Sequence, residues 1–446
     1  MKLTYGVKDR PGFGKVLVFA FQQLLAILAA TIAVPAIIGN GMSQSAALFG
    51  AGIGTLVYLC FTKFKSPVFL GSSFAFLGSM FAAFGGAASV SVGYAGLIIG
   101  AVFAGLVYVV ISVVVKLAGV KWINKIMPAV VIGPTVAIIG LSLAGNAVGD
   151  LTKGSVAGAD GAVLASPYVA FICGVVTLFT VIICSVFGKK MLKMIPFIIG
   201  ICAGYVVAAI FTVIGNAAGI DSLKVINFEL FQNMQWIPDF TFIEAFKGIE
   251  GITGEYIATV AVAYVPVAFV VFAEHIADHK NLSSIIESEL LEDPGLHRTL
   301  LGDGVGSMAG ALFGGCPNTT YGESVGCVAI SGNASIVTIL TTAILCLVAA
   351  FVAPFTTFLA TIPSCVMGGV CITLYGFIAV SGLKMIQQVD LGDNRNLFVV
   401  SIILIAGVGG LTLTFGKVTL TEVACALILG IIANAVLSLK KDKSEN

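Results

Sequence analysis

Two stretches decide the architecture: Pro67-Val-Phe-Leu-Gly-Ser-Ser-Phe-Ala-Phe76 and Pro317-Asn-Thr-Thr-Tyr-Gly-Glu323. Each opens an apolar run, near 67–82 and 317–332, of about 15 residues. At 1.5 Å per residue a helix of that length covers roughly 23 Å, short of a hydrocarbon core of about 30 Å. Non-helical backbone must finish each crossing, and such backbone survives at membrane depth only when buried in protein or lining a wet cavity. Paired interrupted spans at matching places in two halves of a chain are the sequence pointer to a transporter binding site. A pair of purely structural re-entrant loops is the plainer alternative.

That reading presupposes a bilayer, and the composition supplies it. Of 446 residues, 58% are hydrophobic and 10% charged, with a mean hydropathy of +1.08. Soluble chains carry about 25% charged residues. This composition excludes a cytosolic enzyme, a nucleic-acid binder and a disordered chain. Long continuous apolar runs exclude a transmembrane β-barrel, whose strands alternate at period two. A net charge of +1 gives no field to attract nucleic acid. Most of the ten cysteines sit inside apolar runs without Cys-x-x-Cys or Cys/His spacing, so they read as small buried hydrophobes and not as a disulfide or metal framework. Met1–Lys15 is polar and basic, and the apolar run after it has no small-residue cleavage site, so it reads as a retained first span.

Apolar runs separated by charged or Gly/Pro-rich breaks give about fourteen spans. The first seven lie near 16–38, 44–62, 67–82, 94–116, 124–145, 167–187 and 193–216. The second seven lie near 257–277, 297–314, 317–332, 336–358, 363–385, 394–413 and 417–438. With both termini cytoplasmic, nineteen of the 23 Lys and Arg residues fall on the inner side, leaving Lys153, Lys224, Lys247 and Lys417 outside. This is the positive-inside bias. Pro128-Ala-Val-Val-Ile-Gly133 echoes Pro363-Ser-Cys-Val-Met-Gly368, as the two broken spans echo each other. The expected fold is an all-α polytopic membrane protein with a 7+7 inverted repeat. The outer stretch 216–255 carries Phe228, Leu230, Phe231, Met234, Trp236 and Ile237 among acids. It reads as an amphipathic connector along the membrane surface, with a gating lid as the alternative.

Few ionisable groups remain at membrane depth. Glu274 lies in Val-Val-Phe-Ala-Glu-His, and Glu323 in the second broken span. A charge at the bilayer centre costs about 2.5–3.5 kcal/mol on insertion scales, so each carboxyl there needs a partner, a proton or a purpose. A carboxyl held away from water keeps its proton more tightly, so it can be loaded on one side and unloaded on the other. Ionised it accepts N–H bonds, and protonated it donates O–H. Two such groups beside free backbone amides suit a small flat molecule showing N–H and C=O edges, such as a nucleobase. An anion would want Arg or Lys, and neither broken span contains one. Asp278, one turn beyond Glu274 on the same helix face, either relays protons or is an exposed residue at the mouth of the span. His275 reads as a structural helix-end residue more readily than as a proton carrier. A membrane enzyme would show a metal cluster or a nucleophile with its base, and neither motif is present.

These residues resemble the nucleobase–ascorbate transporter family of nucleobase:cation symporters, on its uracil-permease branch. The likeness runs nearly the length of the chain. It comprises Tyr5-Gly-Val-Lys-Asp-Arg-Pro11, Gln22-Gln-Leu-Leu-Ala26, Ala30-Thr-Ile-Ala-Val-Pro35, Gly71-Ser-Ser-Phe-Ala-Phe76, Ala273-Glu-His275, Gly302-Asp-Gly304, Asn318-Thr-Thr-Tyr-Gly-Glu323 and Asn394-Arg-Asn396. The resemblance implies a core domain (1–120 and 256–358, spans 1–4 and 8–11) and a gate domain (121–255 and 359–446, spans 5–7 and 12–14). Short antiparallel strands are expected in spans 3 and 10. It implies proton-coupled uracil uptake through the cell membrane by alternating access, no cofactor, and a homodimer. Substrate contacts would come from Glu274, Glu323, Phe74, Gly322, Ala30, Tyr321 and Ser73. Proton coupling would fall to Glu274, Glu323, Asp278 and Tyr375. Xanthine or uric acid is the neighbouring alternative, with coupling to protons or sodium. The chain departs from the family at Asp278, where relatives often carry histidine, at Gln23, and at Ser324 of the span-ten signature.

Overall fold

The computed structural model describes residues 3–119, 128–158, 162–189, 191–415 and 418–438. Lys2, Lys121, Lys125, Lys190, Lys417, Lys440, Lys441 and Lys443, all counted in the charge bias, lie outside the described residues, as does the start of the fifth expected span.

The described chain is mostly helix. It begins with α1 (Phe13–Ile38), α2 (Gln44–Phe61), β1 (Leu70–Ser72), a 3-10 turn at Phe74–Phe76, α3 (Leu77–Gly85) and α4 (Val90–Ala118). Next come α5 (Ala129–Ser142), α6 (Ala144–Asp150), α7 (Pro167–Phe187), α8 (Met191–Met194), α9 (Pro196–Ala218) and α10 (Thr241–Lys247). The rest comprises α11 (Gly254–Ile286), α12 (Leu296–Gly314), β2 (Asn318–Thr320), α13 (Gly322–Ser331), α14 (Ile336–Ala349) and α15 (Ala353–Ala360). It closes with α16 (Ser364–Ile386), α17 (Asn394–Val408), β3 (Leu413–Phe415), β4 (Val418–Leu420) and α18 (Glu422–Ser438). Hydroxyls start several helices: Ser43, Ser89 and Thr253 each accept an amide N–H from the first turn of α2, α4 and α11.

Eight helices among the described residues are long and apolar enough to cross a bilayer, and shorter apolar helices accompany them. On α7, Phe171, Ile172, Phe179 and Ile183 face outward. Water would charge about 25 cal/mol per Å² for that apolar surface, whereas lipid does not. With no hydrophobic drive between helices in lipid, close backbone approach must hold them together. A Cβ at Gly50 of α2 would lie 2.5 Å from the Gly310 carbonyl oxygen of α12, and one at Gly140 of α5 would collide with the Tyr375 carbonyl oxygen of α16. Around the first contact α2, α4, α11, α12 and α14 pack together, and around the second α5, α7, α9, α16 and α17.

The two interrupted spans meet as expected. β1 pairs antiparallel with β2, in the register Leu70 to Thr320, Gly71 to Thr319 and Ser72 to Asn318. Flanking bonds run from Ser73 N to Pro317 O (2.9 Å) and from Tyr321 N to Phe69 O (3.2 Å). Leu70 N donates to Thr55 Oγ1 at 2.9 Å, and the Asn318 side chain donates to Gly50 O at 3.0 Å. The exposed backbone of each broken span is thus paired inside protein, as the bilayer demands.

Three features differ from the sequence reading. The run near 336–358 is two helices, α14 and α15, bent by 84°. Pro354 falls in the first turn of α15, where its missing N–H is harmless, whereas continuing α14 through it would lose a helical bond. The run near 394–413 stops at Val408, because Gly410 takes φ +68° and turns the chain. A second antiparallel pair, β3 with β4, then precedes α18, so strands are not confined to spans 3 and 10. The outer stretch is fastened by aromatic contact: Phe240 packs on Phe49 of α2 (5.0 Å between centroids) and Phe313 of α12 (5.7 Å).

Candidate functional site

Beside the paired strands lies a cavity of about 470 Å³, within the range of small-molecule sites. Its polar wall is made by Ser73, Thr319 and Thr320 from the strand region, Glu274 and Asp278 from α11, and Glu323 at the start of α13. Val136, Ile139, Phe197, Leu374 and Phe377 make the apolar wall, from the helices of the second packing group. Ser185, near the end of α7, and Lys193 and Met194 of α8 also reach it.

Each polar group is placed by the local fold. Glu274 and Asp278 are four residues apart, so a regular helix stacks them on one face. The Thr320 hydroxyl donates to Asp278 Oδ2 at 2.8 Å, tying α11 to the end of β2. Glu323 sits in the first turn of α13, where free amide N–H groups and the positive end of the helix dipole favour a negative group. The first-turn amides of the short helices after β1 and β2, including Phe74 and Gly322, have no carbonyl earlier in their own helix to bond. Tyr321 is fixed beneath by its hydroxyl, which donates to Ser72 O at 2.8 Å. The buried Ser73 and Thr319 hydroxyl oxygens have no partner among the described residues. Neither Glu274 nor Glu323 is paired with a cation among them. No group of three His, Cys, Asp or Glu among them is placed to hold a metal ion.

Of the residues singled out from the sequence, Glu274, Glu323, Asp278, Phe74, Gly322, Tyr321 and Ser73 come together around this one cavity. Ala30 does not line it: it is buried on α1, and Ala26, one turn earlier, takes the lining position. Tyr375 also stands back, as a buried edge-on neighbour of the Phe74 ring at 5.8 Å. Gln23 meets Ser324 on the far side of α13, where the serine oxygen also receives Phe69 N at 3.3 Å.

The sequence reading gave no role to Tyr58, His279 or Asp303, all fully buried on the side of α11 away from the cavity. The available signal was the spacing of His275 and His279, four apart and offset by one residue from the two acids, which puts them on another face of the helix. Asp303 stood in plain view within Gly302-Asp-Gly304, an acid well inside the ninth expected span.

A family model described as "Permease family" matches residues 14–415. The chain is 38% identical to a uracil permease of Bacillus caldolyticus, covering 100% of this chain and 97% of that protein. It is 32% identical to a uracil permease of Escherichia coli (strain K12), covering 97% and 94% respectively. Among solved structures it is similar to the transmembrane domain of the cyanobacterial bicarbonate transporter BicA, with TM-score 0.61 and 17% identity over 97% of this chain and 100% of that one. It is also similar to murine Slc26a9, an anion transporter, with TM-score 0.67 and 11% identity over 97% of this chain and 69% of that one. At those identities the likeness is one of fold.

Proposed function

Because the chain belongs to the permease family, we propose that it takes up uracil across the cell membrane in symport with protons, by alternating access. One observation carries the reading: carboxyls from α11 and α13, none paired with a cation among the described residues, share one cavity with the amide-bearing ends of two broken spans. Glu274 and Glu323 grip opposite edges of the ring, and the amides of Phe74 and Gly322 meet its carbonyls. Ser73 and Tyr321 shape the pocket, and Phe74 covers the ring face. Glu274, Glu323 and Asp278 hold and pass protons.

In this reading fourteen spans form two inverted sets of seven with both termini cytoplasmic, and the protein works as a homodimer. Spans 1–4 and 8–11 are the core (1–120 and 256–358), and spans 5–7 and 12–14 the gate (121–255 and 359–446). Two features support that division: the helices pack in two groups, and the cavity lies between them. Lys193 and Met385, at ends assigned to the cytoplasm, border the cavity, which suits an inward-facing state. Uracil uptake fits better than the anion transport of the fold neighbours, since three carboxyls against one lysine, Lys193, border the site, and whenever they are ionised the lining is net acidic and disfavours an anion.

Radiolabelled uracil uptake into proteoliposomes, with imposed proton or sodium gradients and competing xanthine and uric acid, tests the proposal. Uptake driven by an inward proton gradient and displaced by unlabelled uracil alone is expected. Uptake driven only by sodium, or displaced equally by xanthine, would overturn the coupling or the substrate respectively.

A further inference from the structure

Behind α11, on the face turned away from the cavity, is a set of polar side chains that the transport reading does not use. His275 Nδ1 lies 2.6 Å from Asp303 Oδ2, and His275 Nε2 lies 3.0 Å from Thr299 Oγ1. Both members of the His275–Asp303 pair are 0% exposed. His279 stacks on His275 with ring centroids 4.0 Å apart, and its Nδ1 is 2.8 Å from the His275 carbonyl oxygen. The Tyr58 hydroxyl, from α2, meets both His279 Nε2 and Ser66 Oγ at 2.7 Å.

Proton counting fixes the state of the pair. The Thr299 hydroxyl donates its one proton to Leu296 O at 3.1 Å. Toward His275 it can therefore only accept, so Nε2 carries a hydrogen. At 2.6 Å, Nδ1 and Oδ2 cannot face each other as two bare lone pairs, so one proton lies between them. The other carboxyl oxygen, Asp303 Oδ1, has no partner among the described residues. For a side chain that is 0% exposed, a bare oxygen of an ionised carboxylate is far costlier than a bare carbonyl oxygen of a neutral acid. The proton therefore belongs to Asp303, which donates it to a neutral imidazole.

We infer that Asp303, acting through His275, is a positioning residue: a locked acid–imidazole hydrogen bond that sets the rotation of α11 and so aims Glu274 and Asp278 at the substrate, its proton held throughout the cycle. Residue 275 follows Glu274, and 279 follows Asp278, so turning one pair turns the other. The groups facing the pair are Thr299 and Asp303 from α12, the Tyr108 ring of α4 at 6.4 Å, His279 with Tyr58 behind it, and Glu274 and Asp278 on the helix itself. No lysine or arginine among the described residues is paired with any of these acids.

Only its transport arm rests on the proposed uracil reading. The chain has three histidines, so the ring nitrogens of 15N-histidine-labelled protein in liposomes are assignable by His279→Gln and His297→Gln. The His275 signals are expected to stay unchanged from mildly acidic to mildly alkaline pH, with and without uracil. Movement with either would overturn the locked proton, whatever the substrate. In transport, Asp303→Asn copies the neutral acid, with its Nδ2–H donating to Nδ1. It is expected to keep gradient-driven accumulation within about tenfold of the parent, the loss one neutral hydrogen bond allows, while His275→Phe raises the KM for uracil. An Asp303→Asn protein that exchanges uracil normally but no longer accumulates it would make Asp303 a proton carrier and overturn the inference.

Discussion

The two faces of α11 carry titratable side chains in opposite conditions. On one face of α11, Glu274 and Asp278 border a cavity, and Glu274 is half-buried without a cation partner among the described residues. On the other, His275 and His279 are wholly buried and each ring nitrogen has a partner within 3.0 Å. The residues alternate one apart in sequence, so propensity and local composition are shared. What separates them is the neighbour: strand ends and half-helix starts on one side, and side chains of α2, α4 and α12 on the other. Titratable groups kept incomplete are available to a ligand, whereas titratable groups fully bonded serve to hold position.

The largest effects should come from the incomplete face. Glu323→Ala is expected to weaken uracil binding by about a hundredfold, the loss of a charge-assisted hydrogen bond at the upper end of its range, read by equilibrium binding to purified protein. Glu274→Gln should retain exchange of uracil across the membrane and lose accumulation driven by a proton gradient. If the double variant Glu274→Gln, Glu323→Gln still concentrates uracil normally, the two faces do not differ in the way described.

A smaller effect is expected at the seam between faces. Thr320→Val removes the hydroxyl that donates to Asp278 and should cost about tenfold in affinity, with the pH profile of uptake altered because Asp278 alone loses a donor. An unchanged profile would detach Asp278 from proton handling. The smallest belongs to the outer segment, as a control. There Lys247 and the Ser91 hydroxyl hold the Glu244 carboxyl below the usual range. That stabilisation is present above the ordinary glutamate pKa and fades as pH falls through the lowered native value. An exposed pair of this kind contributes less than about 1 kcal/mol, so Glu244→Gln should leave the thermal midpoint nearly unmoved at neutral pH and uptake intact.

How far the sequence reached depended on the kind of signal. Continuous apolar runs announce membrane helices, because the bilayer imposes length and composition on each run separately. The shortness of the runs opening at Pro67 and Pro317 announced the broken spans, and Glu274 and Glu323 stood out because a carboxyl in such surroundings is costly. No local pattern announced the bend between α14 and α15 or the β3–β4 pair, since a proline at a helix start and a glycine at a helix end each permit more than one continuation. The lining position of Ala26 instead of Ala30 depended on the rotation of α1, which its almost uniformly apolar sequence does not specify.

The sequence by itself determined that this chain lives in a membrane, that its apolar runs are cut short at two places, and that a few acids are stranded at depth. Those are properties each segment carries alone, through transfer energy and chain length. Only the tertiary structure decided which acids face a common cavity and which polar groups satisfy each other in the dark behind α11. Pairing across hundreds of residues, as between Leu70 and Thr320 or Tyr58 and His279, is settled by how whole helices pack, and packing is a property of the assembled set.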